Sequence, residues 1–245
     1  MTRCYIPNFI LSQKETVLLD KDEIHHLINV LRFKLNDDVF VFNGKGLQAS
    51  ATIISASSHK VTFRINSLEE VRQQHPLLTL ACAIPKRSKF ETIIEKCTEL
   101  GIDEIIPLRT TRTEISKASE TLARCHRRYE EVAINACKQS QRAFLPKVHS
   151  VMTFAQALDL ISKNDLALFG ALQAPSQKLP EIASDLLRSK ERIVVFIGPE
   201  GDFTKEEAQL ALSRGAIPVT LGPNVLKVET AAIAAIGFLS LRLRS

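Results

Sequence analysis

The sequence predicts an α/β protein in two parts, a small β-rich N-terminal domain and a larger domain in which strands alternate with helices. Its 245 residues contain 45% apolar and 24% charged side chains, which is typical of a globular protein with a sizeable core. Residues 1–72 are rich in strand patterns, and strands alternate with helices over residues 77–245. The polar stretch Glu69–Pro76, which ends in proline, is the expected linker between the two domains.

The N-terminal domain is predicted to be a small barrel or sandwich. Strands are expected at Val39–Phe42, Ala51–Ile54 and Lys60–Ile65, and Asn43-Gly44 is a typical turn after the first of them. One helix is expected over Asp22–Phe33, because its apolar residues recur at helical spacing.

The C-terminal domain is predicted to contain a mostly parallel sheet covered by helices on both faces, because its strands and helices alternate. The expected strands are Leu77–Ile84, Ile105–Leu108, Leu166–Gly170, Arg192–Ile197 and Ile217–Leu221. Helices are expected after the capping boxes Ser88–Glu91 and Thr204–Glu207 and over Glu120–Ser140 and Glu229–Arg242.

The positive charge of the chain is concentrated in one segment. The net charge is +5, and residues 121–150 alone carry six Lys or Arg against two Asp or Glu. A local basic surface of this kind suits a polyanion such as RNA. The same pattern is also typical of a solvated helix face, and charge alone leaves both interpretations open.

The sequence offers little support for a disulfide framework, a metal site or a membrane-spanning helix. Its five cysteines are odd in number and form no C-x-x-C pair, which is typical of reduced thiols in a cytosolic protein. Of the six histidines only His25 and His26 are close, and adjacent helical residues point in different directions, so no metal site is expected. The apolar run Thr230–Leu241 is shorter than the roughly 20 residues of a membrane span. We therefore expect a soluble, cytoplasmic protein.

Two proline- and glycine-containing turns follow predicted strands, Gly198-Pro-Glu-Gly201 and Gly222-Pro-Asn-Val225. In open α/β sheets, ligands bind at the carboxyl ends of strands. Neither turn matches a phosphate-binding loop, because both lack the lysine and the glycine spacing that such loops contain. In addition, each proline lacks a backbone N–H that could bind a phosphate, and Glu200 would repel one. The turns therefore favour a nucleotide-like ligand without phosphates, although a purely structural turn is also consistent with each of them.

A third stretch, Leu226–Ala231, leads directly into an alanine-rich helix. Such small side chains are typical of tight core packing or of a subunit interface. A functional role is also possible, because Glu229 and Thr230 lie at the N-terminus of this helix, beside the second turn. Because the helix dipole favours a glutamate there in any case, its charge does not decide between these roles.

Taken in order, several stretches resemble the RsmE family of bacterial 16S ribosomal RNA uridine-N3 methyltransferases, which belong to the SPOUT superfamily. The resemblance covers nearly the whole chain, and its last two motifs are the most specific. The stretches are HHLINVLR (25–32), IPKRSKFETIIEKCTELGIDEIIPL (84–108), EVAINACKQSQR (131–142), FIGPEGDFTKEE (196–207) and LGPNVLKVETAAIAAI (221–236).

The resemblance implies a PUA-like RNA-binding barrel over residues 1–72 and a SPOUT domain with a deep trefoil knot over residues 77–245. It also implies binding of S-adenosylmethionine in the knot, a homodimer with its active site at the dimer interface, and 16S rRNA within the 30S subunit as the partner. The residues that it assigns to the cofactor pocket are Leu168, Phe169, Gly170, Ile197, Gly198, Pro199, Glu200, Gly201, Leu221, Gly222, Leu226, Val228 and Thr230.

Methylation at N3 of uracil requires removal of a proton and stabilisation of the resulting anion. The expected catalytic residues are Glu229 as proton acceptor, with Glu200 as second candidate, and Lys227 and Arg142 as cations near the uracil carbonyls. The expected RNA-binding residues are Arg3, Arg32, Lys86, Arg87, Lys89, Arg124, Arg127 and Arg128.

Three positions depart from the usual pattern of the family. Asn224 and Lys227 stand where arginines are common, and Lys227 keeps the charge but loses the planar fork of arginine. Asp202 stands where glycine is common, and aspartate tolerates a left-handed backbone better than most residues. Two alternatives therefore remain, an RNA-binding assembly factor without catalysis and a methyltransferase that acts on another RNA.

Overall fold

The chain divides near Gln73 into two units in a computed structural model that describes residues 2–12, 14–85, 89–113, 119–171 and 176–244. The first unit comprises Met1–Gln73 and Cys137–Leu145, and the second comprises Gln74–Ala136 and Pro146–Ser245.

The first unit is built on one curled five-stranded sheet in the order β1-β3-β4-β5-β2, and among its described strands only β1 and β3 are parallel. Burial alternates along β4, and two register shifts between β4 and β5 bend the sheet around the core. The predicted PUA-like barrel is thus confirmed as a curled sheet. Its strands are β1 (Arg3–Tyr5), β2 (Glu15–Leu18), β3 (Asp38–Phe42), β4 (Leu47–Ala56) and β5 (Val61–Glu70).

The predicted first helix is shorter and less regular than expected. The α-helix α1 (Lys21–His25) is capped by Asp20, whose carboxylate accepts a hydrogen bond from the Glu23 N–H at 2.8 Å, and is followed by a π-turn over His26–Val30. The chain then turns away because Arg32 adopts a left-handed φ of 59°.

Residues 137–145 return to the first unit through backbone hydrogen bonds. The Leu145 N–H donates to the Gly44 carbonyl at 2.9 Å, and the Gly46 N–H donates to the Ala143 carbonyl at 3.1 Å. The N-terminal domain is therefore completed by a segment that lies far away in sequence.

The second unit is built on an eight-stranded sheet, and every pairing among its described strands is parallel, where a mostly parallel sheet was predicted. Seven strands follow the order β11-β13-β10-β12-β6-β7-β8, and β9 pairs with β7. The strands are β6 (Leu77–Ala83), β7 (Glu104–Arg109), β8 (Lys147–Val148), β9 (Met152–Thr153), β10 (Asp165–Gly170), β11 (Gln177–Lys178), β12 (Arg192–Ile197) and β13 (Ile217–Thr220).

Helices cover this sheet on both faces. As a result, every residue of β6 after Leu77 is buried. Helices α2 and α7 pack against each other, and α7 also contacts β6 and β12, whereas α4 packs on α6 and β7. The helices are α2 (Lys89–Glu99), α3 (Ser119–Ser140), which runs on into residues of the first unit, α4 (Phe154–Asp159), α5 (Ser184–Arg188), α6 (Lys205–Ser213) and α7 (Val228–Arg244).

The path of the chain around β10 creates a place for a ligand. Strand β10 lies between β12 and β13, so the chain that leaves β12 crosses past β10 to form β13. It then returns over residues 221–227 to begin α7, which packs on β6 and β12. In parallel sheets such reversals leave a crevice at the carboxyl ends of the strands.

Candidate functional site

A pocket opens in this crevice, at the carboxyl ends of β10, β12 and β13. Its walls come from the strand ends at Gly170, Ile197 and Thr220, from the loops 198–204 and 221–227, and from the start of α7. Its open volume, which includes the solvent-filled space at its mouth, is about 590 Å³.

Eight residues that the sequence assigned to a cofactor line this pocket. They are Gly170, Ile197, Gly198, Pro199, Glu200, Leu221, Leu226 and Val228. Seven further residues of the wall were not assigned, and they are Ala171, Asp202, Val219, Thr220, Asn224, Val225 and Ala231.

The other five assigned residues do not line the pocket. Leu168 and Phe169 are buried within β10, and Phe169 belongs to the core that contains Phe154 and Phe196. Gly201, Gly222 and Thr230 are exposed next to residues that do line it. The first difference arises because only the end of β10, at Gly170, reaches the crevice.

The loop 198–204, which we call the glycine loop, has a backbone that depends on its small residues. A Cβ atom at Gly198 would lie 3.2 Å from the ring and from the backbone nitrogen of Phe203. A larger residue at position 198 would therefore force Phe203 to shift. The Asp202 N–H donates to the Pro199 carbonyl at 2.9 Å and closes the turn. Asp202 itself has a left-handed φ of 61°, and its Oδ1 accepts the Phe203 N–H at 2.8 Å.

Residues that follow β7 hold the glycine loop from outside the pocket. The guanidinium of Arg112 donates to the carbonyl of Gly201, and also to that of Asp202 at 3.3 Å. The Thr111 N–H donates to Glu207 Oε1 at 2.9 Å, while Glu207 forms the predicted capping box with Thr204. Neither Thr111 nor Arg112 was singled out in the sequence, because about 90 residues separate each from its partner.

The loop 221–227 carries two of the positions that depart from the family pattern. The Thr220 hydroxyl donates to the Gly222 carbonyl at 3.1 Å and fixes the start of the loop. Asn224 is exposed and lines the pocket, whereas Lys227 is exposed outside its wall. The carbonyl of Lys227 accepts the Ala231 N–H at 2.9 Å, so its backbone belongs to the first turn of α7.

Glu229, the first candidate for the proton acceptor, is paired with a lysine. The ammonium of Lys89, at the start of α2, lies 2.7 Å from Glu229 Oε1. The hydrogen bond from Lys89 is the main reason why the pKa of the Glu229 carboxyl lies below its ordinary value. Glu229 is therefore ionised at neutral pH.

Glu200 and Glu229 lie near the same buried thiol. Burial is the main cause that raises the pKa of Cys82 well above its ordinary value, and Cys97, Glu200 and Glu229 contribute in the same direction. Glu200 follows the end of β12, and Glu229 lies in the first turn of α7. Within the described ranges the Glu200 carboxylate has no ion-pair partner.

The residues assigned to RNA have different environments. Arg32, in the first unit, and Arg124, Arg127 and Arg128, on α3 in the second, are exposed. Arg128 is paired with Glu91 at 3.0 Å and with Glu131 at 3.6 Å. Lys86 and Arg87 lie outside the described residues.

Arg3, which was expected to bind RNA, instead has a buried side chain that holds the first unit together. It is only 7% exposed, and it donates to the carbonyl of Gln141 and to Gln48 Oε1, both at 2.7 Å. Its guanidinium also lies 5.0 Å from the centre of the Phe42 ring. Arg142, expected near the uracil, belongs to the first unit, and its carbonyl accepts a hydrogen bond from Arg3 at 3.4 Å.

The described residues lack both a cluster of metal ligands and a membrane-spanning helix. These residues contain no group of three or more His, Cys, Asp or Glu side chains that could hold a metal ion. No helix within the same ranges is long and apolar enough to cross a membrane.

Family comparisons match both parts of the chain. A family model described as an RNA methyltransferase domain matches residues 73–240, and one described as an RNA methyltransferase PUA domain matches residues 19–66. Among curated proteins, the ribosomal RNA small subunit methyltransferase E of Synechocystis is 33% identical over 94% of this chain and 74% of its own. The proteins of the same name from Rickettsia conorii and Bacillus subtilis are 31% and 27% identical, over 96% and 94% of this chain and 93% and 91% of theirs.

Solved structures are similar over nearly the whole chain. The ribosomal RNA small subunit methyltransferase E of Neisseria gonorrhoeae, bound to S-adenosyl methionine, has a TM-score of 0.87 and 28% identity, and the match covers 98% of this chain and 97% of that one. A putative methyltransferase from Legionella pneumophila, in complex with the same cofactor, has a TM-score of 0.87 and 30% identity over the same shares.

Proposed function

The chain belongs to the RNA methyltransferase family, and we propose that it methylates N3 of a uridine in 16S ribosomal RNA with S-adenosylmethionine as the methyl donor. Similarity to small-subunit methyltransferases over more than nine-tenths of the chain supports the substrate. The assignment to N3 of uridine rests on the resemblance of the glycine loop and of the 221–236 segment to the RsmE family.

The observation that carries this proposal is the pocket at the ends of β10, β12 and β13. Its wall combines apolar side chains, such as Ile197, Leu226 and Val228, with polar residues of two loops, such as Glu200 and Asn224, and a mixed wall of this kind suits an adenosine. The described wall contains no lysine or arginine that a phosphate would require. These residues therefore fit S-adenosylmethionine, a nucleoside cofactor without phosphate.

S-adenosylmethionine, when bound, supplies a methyl group already activated on a sulfonium. The protein must then orient the uracil, remove its N3 proton and stabilise the negative charge. Because Glu229 is held ionised by Lys89, it is a weak base, and its stronger role is to orient the Lys89 ammonium. We assign the stabilising charge to Lys89 together with Lys227, and the proton acceptor to Glu200, which has no ion-pair partner among the described residues.

The remaining expectations are parts of the same proposal. The first unit and the exposed arginines of α3 bind the rRNA of the 30S subunit, and Arg142 remains a candidate cation for the uracil carbonyls. Return of the chain over residues 221–227 to form α7 supports a knotted C-terminal segment. We further propose that the protein works as a homodimer in the cytoplasm, and sedimentation of the purified protein tests the dimer.

The test is methyl transfer from labelled S-adenosylmethionine to 30S subunits that lack the modification, followed by mass spectrometry of the rRNA nucleosides. We expect 3-methyluridine at one position of 16S rRNA. A methylated tRNA, or a methyl group on another atom, would show a methyltransferase of different specificity. If calorimetry detects no binding of S-adenosylmethionine, an assembly factor without catalysis becomes the better explanation.

A further inference from the structure

Two helices of the second unit end in a left-handed glycine. Gly101 follows α2 with a φ of 95°, and Gly215 follows α6 with a φ of 79°. The N–H of the next residue then donates back to a carbonyl of the last helical turn, at 2.9 Å after Gly101 and at 3.0 Å after Gly215. A Cβ atom at Gly215 would meet no described atom within 4 Å, so glycine is used there for its backbone conformation alone.

Two helices that end in the first unit turn in the same way but carry long side chains. Arg32 follows the π-turn with a φ of 59°, and Gln141 follows α3 with a φ of 60°. The returning N–H bond measures 3.2 Å after Arg32 and 3.1 Å after Gln141. Both side chains are exposed. Because a left-handed backbone is unfavourable for a residue with a Cβ atom, glycine would suit both positions better unless the side chains have a function.

The backbone is held in place at both helix ends. The buried guanidinium of Arg3 donates to the carbonyl of Gln141 at 2.7 Å. Phe33, which follows the other helix end, packs against the core of the first unit. An ion pair between Lys138 of α3 and Glu23 of α1 joins the two helices. The two exposed side chains therefore project from a fixed backbone, and such preorganisation reduces the entropy that is lost when a ligand binds.

A guanidinium and a carboxamide together suit an RNA strand. A guanidinium binds a phosphate through two parallel hydrogen bonds, whereas a carboxamide has a donor and an acceptor that match the edge of a base. Proteins read RNA sequence mainly at unpaired nucleotides, whose base edges are free. Arg32 also lies within the residues that match the RNA methyltransferase PUA domain.

We propose that Gln141 reads the base edge of an unpaired nucleotide in the substrate RNA, while Arg32 binds a phosphate of the same RNA. The inference rests on the proposed function. It adds Gln141 to the residues that contact RNA, and it gives a physical reason for the long side chains at two left-handed positions.

Glycine at each position tests the inference, because it removes the side chain and relieves the backbone strain together. Arg32→Gly and Gln141→Gly should melt at the temperature of the wild type or above it. Their affinity for unmodified 16S rRNA transcribed in vitro, measured by filter binding, should fall about two- to tenfold. The slope of log affinity against log salt should fall by about 1 in Arg32→Gly and stay unchanged in Gln141→Gly, because a carboxamide is neutral.

Two further variants separate the side chain from the backbone. Gln141→Ala lacks the carboxamide but keeps the strain, so it should bind the RNA as weakly as Gln141→Gly and melt at a lower temperature. Asn36→Gly is the matched control, because Asn36 is also exposed and left-handed in the first unit, with a φ of 72°. It should leave the affinity for RNA unchanged.

The outcomes separate the inference from the proposed function. Wild-type affinity in both glycine variants would overturn the inference, while methyl transfer by the wild type would still support the methyltransferase. A melting temperature far below that of the wild type would show that the side chains only stabilise the fold, which also overturns it. Normal binding of the transcribed rRNA with weaker binding of 30S subunits would assign the surface to a ribosomal protein instead. A wild type that binds no 16S rRNA would overturn both.

Discussion

The ammonium of Lys89 and the carboxylate of Glu229 lie 2.7 Å apart and join the first turns of α2 and α7. A lysine in the first turn of a helix is opposed by the helix dipole, whereas a glutamate there is favoured. The ion pair therefore stabilises a lysine in an otherwise unfavourable place, and its partner Glu229 directly follows Val228 of the pocket wall. This arrangement suits a lysine that is kept for a charged or polar substrate.

The first prediction concerns this pair. Lys89→Met and Glu229→Gln should each lower kcat/KM for 30S subunits about tenfold, because each removes one member of a coupled pair. The double variant should be little worse than either single variant. A double-mutant cycle of methyl transfer, with calorimetry of the cofactor as a check on the pocket, measures the coupling.

The pH profile distinguishes an orienting carboxylate from a general base. If Glu229 orients Lys89, the profile of Glu229→Gln keeps its shape and only its height falls. If Glu229 accepts the N3 proton, the limb of the profile that reports its ionisation disappears. Effects of the two single variants that simply multiply in the double variant would also contradict the proposed coupling.

The second prediction concerns Arg112, whose guanidinium holds the carbonyls of Gly201 and Asp202. Arg112→Ala should weaken binding of S-adenosylmethionine about three- to tenfold, because the glycine loop loses its support from the β7 side. The thermal midpoint should change little, since the side chain is exposed. Calorimetry and a thermal melt measure the two effects.

Arg214→Ala is the matched control for Arg112, because Arg214 is also exposed and pairs with Asp159 at 2.7 Å, outside the pocket wall. It should leave cofactor affinity unchanged. Equal affinity in Arg112→Ala and the wild type would mean that Gly198, Pro199 and Asp202 hold the loop without the arginine.

Much of the fold could be predicted because it depends on local patterns. The alternation of strands and helices gave the parallel sheet, and the Thr204–Glu207 capping box gave the start of α6. The proline–glycine turns marked two walls of the pocket, because short turns after buried strands must lie at the carboxyl edge of the sheet.

The rest depends on contacts between distant residues, which leave no periodic signal. Lys89 and Glu229 are 140 residues apart, and Arg112 and Gly201 are 89 apart. The burial of Arg3 depends on residues 137–145, whose return to the first unit has no sequence pattern of its own. An exposed arginine and a buried one look alike in sequence, so the RNA-binding set could not be divided in advance.

The third prediction divides that set. Arg124 and Arg127 are exposed and have no ion-pair partner among the described side chains, whereas Arg128 is paired with Glu91 and Glu131. Arg124→Ala and Arg127→Ala should each lower the slope of log affinity against log salt by about 1, as expected for one phosphate contact. Arg128→Ala should lower it less, and titration of rRNA fragments over a range of salt concentrations measures all three slopes.

Arg3→Ala serves as the comparison, because it should lower the stability of the protein and leave the salt slope unchanged. It should destabilise the first unit by about 2–4 kcal/mol, because the buried guanidinium and its hydrogen bonds to the Gln141 carbonyl and to Gln48 are lost. Among molecules that remain folded, the salt slope should not change. Unchanged slopes in Arg124→Ala and Arg127→Ala would assign the basic face of α3 to solvent.

The fourth prediction concerns acid stability. At the amino ends of the strands, Glu104 lies 3.3 Å from His149 Nε2 and 3.5 Å from Arg192, which also binds Asp165. The hydrogen bond from His149 is the main cause that lowers the pKa of Glu104. Burial alone would raise the pKa of Asp165, but the hydrogen bonds and charge of Arg192 and the bonds from Ser162 outweigh it and lower the pKa.

Both carboxyls therefore bind protons more weakly in the folded state than in the unfolded state. Their contribution to stability is fully present above the ordinary carboxyl range of about pH 4 to 5, and it is lost as the pH falls through the lowered values. Urea unfolding should show that Glu104→Gln is less stable than the wild type at pH 7, and that the difference narrows below about pH 4. Asp159→Asn, at an exposed ion pair, should show a much smaller difference at both values. A Glu104→Gln difference that stays constant with pH would mean that the ionisation of Glu104 does not contribute to folding.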